Sequence, residues 1–269
     1  MTRVRWMSPL ALGILVAIGC GSGRPQDASA TADQKPAGQA PMQIAEAPAG
    51  AAPAAAAGSA SVTGSVRFEG ATPAAEKVKM AADPVCAQQH PQPVMTEDVV
   101  VNGNGTLKNV VVFVKEGLSG SVPPSTTPVV LNQKGCWYTP HVFGIQAGQP
   151  LEITNSDSTL HNVNAKPAAN PPFNLAQPTA GAKATKKFAK AEVGVSFKCN
   201  VHPWMRAYAV VTDHPFFSVT GEDGSFAIKG LPAGTYVLEA WHEKYGAQTQ
   251  TVTVPEGGSA SAEFVFKAQ

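Results

Sequence analysis

Val193-Gly194-Val195-Ser196-Phe197-Lys198-Cys199-Asn200-Val201-His202-Pro203-Trp204-Met205 is a Val-rich, strand-like run that opens into a loop carrying a thiol, an imidazole and a thioether. Upstream, Pro150-Leu151-Glu152-Ile153-Thr154 reads as another strand, and the polar stretch Asn155 to Val163 after it carries His161. A polar loop at a strand end can aim one imidazole at a second loop, and Asn162 is placed to hydrogen-bond across to it and fix its shape. His161, Cys199, His202 and Met205 then form a donor set. Two neutral imidazoles and a thiolate, with a weaker thioether, suit both Cu(I) and Cu(II) and keep reorganisation small when one electron moves. Structural zinc sites use Cys and His without methionine, so Met205 argues for one type-1 copper ion.

Further runs of the same kind recur along the chain, at Ser61 to Phe68, Val99 to Val101, Val110 to Lys115, Ala207 to Val211, Tyr236 to Trp241, Gln248 to Val254 and Ala262 to Phe266. Turn signals separate them, and Asn102-Gly103-Asn104-Gly105 is a hairpin-turn candidate. No long segment shows helical periodicity. The expected class is all-β, of the sandwich kind.

Two family resemblances sharpen this reading. The Cys-x-x-His-Pro-aromatic-Met loop, Arg206 and the run Tyr208 to Val211 resemble the cupredoxins, the amicyanin- and plastocyanin-like blue copper proteins. Tyr138-Thr139-Pro140-His141-Val142, the run Val142 to Gln146, Gly148 and His161-Asn162-Val163 resemble the middle of the same domains, over roughly residues 127–213. The resemblance implies a Greek-key sandwich over 98–213, copper ligands at His161, Cys199, His202 and Met205, and an electron carrier instead of an enzyme. It also implies an exposed edge of His202 as the electron port, with Pro203 and Trp204 as an apolar docking surface for a transient redox partner. Separately, Gly221 to Ile228 and Gly230 to Leu238 resemble the carboxypeptidase regulatory-like, transthyretin-like module, which implies a structural sandwich without peptidase activity. Phe226, Ile228, Tyr236 and Leu238 would face its core. Residues 214–269 supply too few strands for a full module, so strands from 61–97, Ser61 to Phe68 above all, are expected to complete it. The copper domain would then be inserted within it, the alternative being a tandem order.

Of the four cysteines, Cys199 must stay a thiolate to hold copper. Cys86 and Cys136 are a candidate disulfide, the competing arrangement being a second metal site made with His90 and His141. Residues 1–20 carry Arg3 and Arg5, an apolar run from Pro9 to Ile18 and then Gly19-Cys20. That pattern reads as a signal peptide of lipoprotein type. A lipid on Cys20 would tether the protein to a membrane in a bacterial envelope, on the periplasmic side or at the cell surface, although Ala17 departs from the usual leucine. Residues 21–60, rich in Ala, Pro, Gly and Gln, read as a disordered linker.

The net charge of +1 gives no basis for nucleic-acid binding, and Lys183, Lys186, Lys187 and Lys190 read as a solvated face. Copper oxidase and nitrite reductase chemistry lack a His-x-His pair, and a two-copper electron-entry site lacks a second cysteine four residues from Cys199. Copper storage, delivery or sensing, and a non-catalytic envelope scaffold, stay open beside electron transfer.

Overall fold

A computed structural model describes residues 58–268. Cys20, the expected export segment 1–20 and the expected linker up to residue 57 lie outside the described residues. In chain order the structure has β1 (Ala60–Glu69), a 3-10 turn (Met80–Ala82), α1 (Pro84–Gln89), β2 (Val111–Glu116), β3 (Val129–Gln133), β4 (Tyr138–Thr139), β5 (Val142–Gln146) and β6 (Leu151–Asn155). It continues with β7 (His161–Lys166), β8 (Phe173–Gln177), β9 (Lys183–Lys186), β10 (Glu192–Lys198), β11 (Arg206–Thr212) and β12 (Phe217–Val219). The last strands are β13 (Ser225–Leu231), β14 (Gly234–His242), β15 (Gly246–Val254) and β16 (Ser259–Lys267). The protein is an all-β sandwich fold.

One sandwich packs the sheet β5-β11-β10-β7-β8 on the sheet β4-β3-β6-β9. Its core is built by two-residue alternation. Val195 and Phe197 of β10 point inward, and Cys199 is the next position of the same parity. Met205 stands in the same relation to Ala207, Ala209 and Val211 of β11, and His161 to Val163 and Ala165 of β7. His161 is thus the first inward position of its strand, and Cys199 and Met205 stand one residue beyond theirs in the same alternation. Upstream in β10 the register shifts between Val193 and Val195. The bulge residue is Gly194, at φ +80°, where a Cβ would come within 3.0 Å of the Trp241 ring.

The second sandwich pairs the sheet β13-β1-β16 with the sheet β12-β2-β14-β15. β1 lies antiparallel to β13 and parallel to β16. Phe226, Ile228, Tyr236 and Leu238 are buried in the same core as Val62, Val66 and Phe68 of β1. In chain order this sandwich is interrupted between β2 and β12, and β3 to β11 form the other one.

β2 corrects the sequence reading, which put all of 98–213 in the copper unit. β2 instead pairs with β12 and β14. Its continuous run Val111-Val112-Phe113-Val114 is buried on both faces, as a strand between two layers requires. Val112 and Val114 enter the second core, while Val111 and Phe113 pack on Val142 of β5 and Val210 of β11. Val99 to Val101 forms no strand, only an isolated bridge from Val101 to Leu107 around the Asn102 to Gly105 turn. The linker assignment to 21–60 also ends late, since Ala60 already opens β1 and is buried. Finally, α1 is a helix where none was expected. It is too short for periodicity to reveal, but it starts on Asp83, whose side chain caps it, with Pro84 in the first turn.

Candidate metal centre

Cys199, His202 and Met205 occupy a tight turn between β10 and β11. The Met205 amide donates to the His202 carbonyl at 2.9 Å, and the Cys199 amide to the Met205 carbonyl at 3.2 Å. The His202 amide donates to Cys199 Sγ at 3.4 Å. Across from this turn, His161 opens β7 instead of lying in a loop. The two Nδ1 atoms of His161 and His202 face each other at 2.9 Å, and Cys199 Sγ is 3.8 Å from His202 Nδ1. His161, Cys199 and His202 form a buried cluster, and Met205 is buried in the same core. Asn162 joins the loops, accepting from the Asn200 amide at 2.6 Å with its Oδ1 3.5 Å from Cys199 Sγ. Beneath it, the Tyr138 hydroxyl donates to the Asn162 carbonyl at 2.5 Å. Burial and then the Cys199 charge push the Tyr138 phenol upward, so it stays a donor.

The outer nitrogens identify the donors. His161 Nε2 lies 2.9 Å from Asp157 Oδ2, and His202 Nε2 lies 2.9 Å from Asp83 Oδ2. Burial works against the Asp157 charge, but hydrogen bonds from the Cys136 amide, His161 and the Gly135 amide outweigh it and hold that carboxyl below its ordinary range. For Asp83 the His202 hydrogen bond is the main cause of the same downward shift, against some burial. Ionised carboxylates only accept, so each Nε2 carries its hydrogen, and in a neutral ring Nδ1 is then left with a lone pair turned inward. Burial also pushes His161 below the ordinary imidazole value, opposed by its Asp157 hydrogen bond. Two imidazole nitrogens 2.9 Å apart beside a buried sulfur are held together by a shared hydrogen or by a metal cation that both can bind. Soft sulfur beside two imidazoles, with Met205 buried in the same core, is a donor set that fits copper.

One expectation at this site is corrected. His202 does not expose its edge: it is 1% exposed, covered by Asp83 and by Cys86, whose Sγ is 3.5 Å from Nε2. The covering segment, around α1, precedes the part of the chain on which the family resemblance rests. The candidate disulfide is present, and the competing second-metal arrangement falls away with it. Cys86 and Cys136 form a disulfide, His90 Nε2 bonds the Gly135 carbonyl at 2.6 Å, and His141 bonds Glu243 and the Arg206 carbonyl. Pro203 and Trp204 flank the site. The Trp204 ring centre is 5.1 Å from that of His202, and its indole N–H donates to the Cys136 carbonyl at 3.1 Å. Both residues line a groove of about 530 Å³ with Lys79, Ala82, Asp83, Val201 and His202.

Sequence reasoning missed Asp83 and Asp157. Asp83-Pro84 is a readable helix start, but nothing local says that the helix folds over a loop more than a hundred residues later.

Residues 207–267 match the carboxypeptidase regulatory-like domain family. The matched stretch starts in β11, which pairs in the other sandwich, and runs through β12 to β16; β1 and β2 lie outside it. Curated proteins give no match. Among solved structures, a copper-containing nitrite reductase from Thermus scotoductus SA-01 is similar at 22% identity and a TM-score of 0.30, over 38% of this chain and 25% of that one. A Cu(I) structure of an amicyanin variant is similar at 20% identity and a TM-score of 0.28, over 31% of this chain and 81% of that one. An oxidised amicyanin variant gives 20% and 0.29, over 32% and 84%.

Proposed function

We propose that this protein is an exported one-electron carrier, not an enzyme, whose type-1 copper is held by His161, Cys199, His202 and Met205. The observation that carries the reading is the convergence of the two Nδ1 atoms of His161 and His202 and the Cys199 sulfur in a buried cluster. Bound there, copper supplies a Cu(II)/Cu(I) couple. The chain's part is to hold the donors rigid: Asn162 ties the two loops, Asp157 and Asp83 fix the imidazoles, and the surrounding core excludes water. Because His202 is covered, electrons leave beside it, through Trp204 and Pro203 at the rim of the groove. A redox partner docks there transiently, through a small interface. The lipid on Cys20 and the linker after it would keep the carrier at an envelope membrane.

The test is the visible spectrum of the purified protein after adding Cu(II). An intense blue absorption is expected, bleached by a reductant and absent in Cys199→Ser. A wild-type protein that stays colourless and binds no copper would sink the reading.

A further inference from the structure

The segment that covers His202 contributes a charged group of its own. Asp83 sits at the start of α1, outside both sheets of the sandwich that holds the donors, yet its Oδ2 is 2.9 Å from His202 Nε2. The same oxygen accepts from the Thr159 hydroxyl at 3.1 Å, two residues before His161. Its Oδ1 takes the amides of Val85 at 2.8 Å and Cys86 at 3.3 Å, so the carboxylate is fixed by the helix it caps. The disulfide from Cys86 to Cys136 then bolts that helix to the loop whose amides hold Asp157.

We propose, on the copper reading above, that Asp83 is a positioning residue for the metal: it holds His202 as the Nε2–H tautomer with Nδ1 turned to Cys199, and its charge biases bound copper toward Cu(II). A carboxylate on the outer nitrogen makes a ligating imidazole a stronger donor, and losing such a partner typically costs roughly 10–100-fold in metal affinity. A fixed negative charge hydrogen-bonded to a buried ligand favours the more highly charged ion, so the effect falls more on Cu(II) than on Cu(I). The driving potential of the carrier is thereby set partly by a segment outside the metal-holding sandwich.

Asp83→Asn separates this role from a merely structural one. Asparagine caps a helix as well as aspartate does, so α1 stays in place while the charge and the acceptor for the His202 Nε2–H are lost together. In the purified full chain the variant should remain blue, bind Cu(II) roughly 10–100-fold more weakly with Cu(I) affinity nearly unchanged, and show a raised midpoint potential. Long-range ¹H–¹⁵N spectra of the diamagnetic Cu(I) protein should show His202 protonated at Nε2 alone in the wild type. In Asp83→Ala that ring signal should broaden or shift as the imidazole loses its partner, and Asp83→Glu should restore part of the affinity. A blue Asp83→Asn variant with unchanged affinities and potential would overturn the role of Asp83 and leave the copper site standing. A wild type that takes up no copper would overturn both.

Discussion

At the residue scale, the chain spends unusual care on imidazoles, and the cost is clearest at one that faces no ligand. His242 ends β14, 1% exposed among Tyr245 and Phe266, with ring centres 5.0 and 6.1 Å away. Its Nδ1 accepts the Lys244 amide at 3.1 Å, so Nε2 carries the hydrogen, and Nε2 has no hydrogen-bond partner among the described residues. Burial first, then the charges of His141 and Lys244, push it down from 6.5 to about 4. Above 6.5 the ring is neutral in both folded and unfolded chains; between 6.5 and about 4 only the unfolded chain takes up the proton, so stability falls as the pH falls. A shift of that size amounts to on the order of 3 kcal/mol once complete. In denaturant melts of metal-free protein, the wild type should lose about that much more than His242→Phe between neutral pH and the foot of this window. Parallel pH profiles for the two proteins would refute it. Residue types and their spacing in one loop singled out Cys199, His202 and Met205. The partners Asp83 and Asp157 were hidden because hydrogen bonding to a distant ring leaves no local pattern.

Elements were legible in proportion to how much their burial repeats. β1, β6, β10 and β14 to β16 combine alternation or long Val-rich runs with clear turns, and their positions follow from the sequence. Short strands such as β8, β9 and β12 are half-exposed and mixed in polarity, so tertiary pairing decides them. The same holds for α1, whose six residues owe their conformation to the Asp83 cap and to the bridge at Cys86. That bridge spans 50 residues, and closing such a loop in the unfolded chain is worth about 4 kcal/mol in the chain-entropy estimate. Replacing Cys86 and Cys136 by serine should therefore lower stability by up to roughly that amount in denaturant titrations. It should also open the segment between β1 and β2 to limited proteolysis before the sandwiches yield. A variant cleaved no faster there than the wild type would show that Asp83 and its neighbours hold the cover without the disulfide.

For the whole molecule, the consequential strand is the first. β1 lies at the centre of its sheet, with β13 on one side and β16 on the other, and buries Ala60, Val62, Val66 and Phe68. The family match over 207–267 covers neither β1 nor β2, yet both are needed to fill the sheets that β12 to β16 begin. Removing β1 would leave two strands with bare edges and a core missing four apolar side chains, each worth about 1 to 3 kcal/mol when fully buried. That sum is comparable with the entire stability of an ordinary domain. The loss would not stay local. β2 is shared, its Val112 and Val114 in one core and its Val111 and Phe113 against Val142 and Val210 of the other sandwich, while Tyr208 and Trp241 meet across the same seam at 6.1 Å. A chain starting at Gly70 should accordingly fail to form the second sandwich, losing protease resistance and dispersed NMR signals in β12 to β16, while a chain starting at Gly58 keeps them. In the Gly58 chain, near-ultraviolet signals from Trp204 in one sandwich and amide signals from β16 in the other should disappear in a single thermal transition, because the Val111–Phe113 face couples the two cores. Two separated transitions would mean that the seam is too weak to couple them, and a Gly70 chain as stable as the Gly58 chain would mean that β13 and β16 can close without β1.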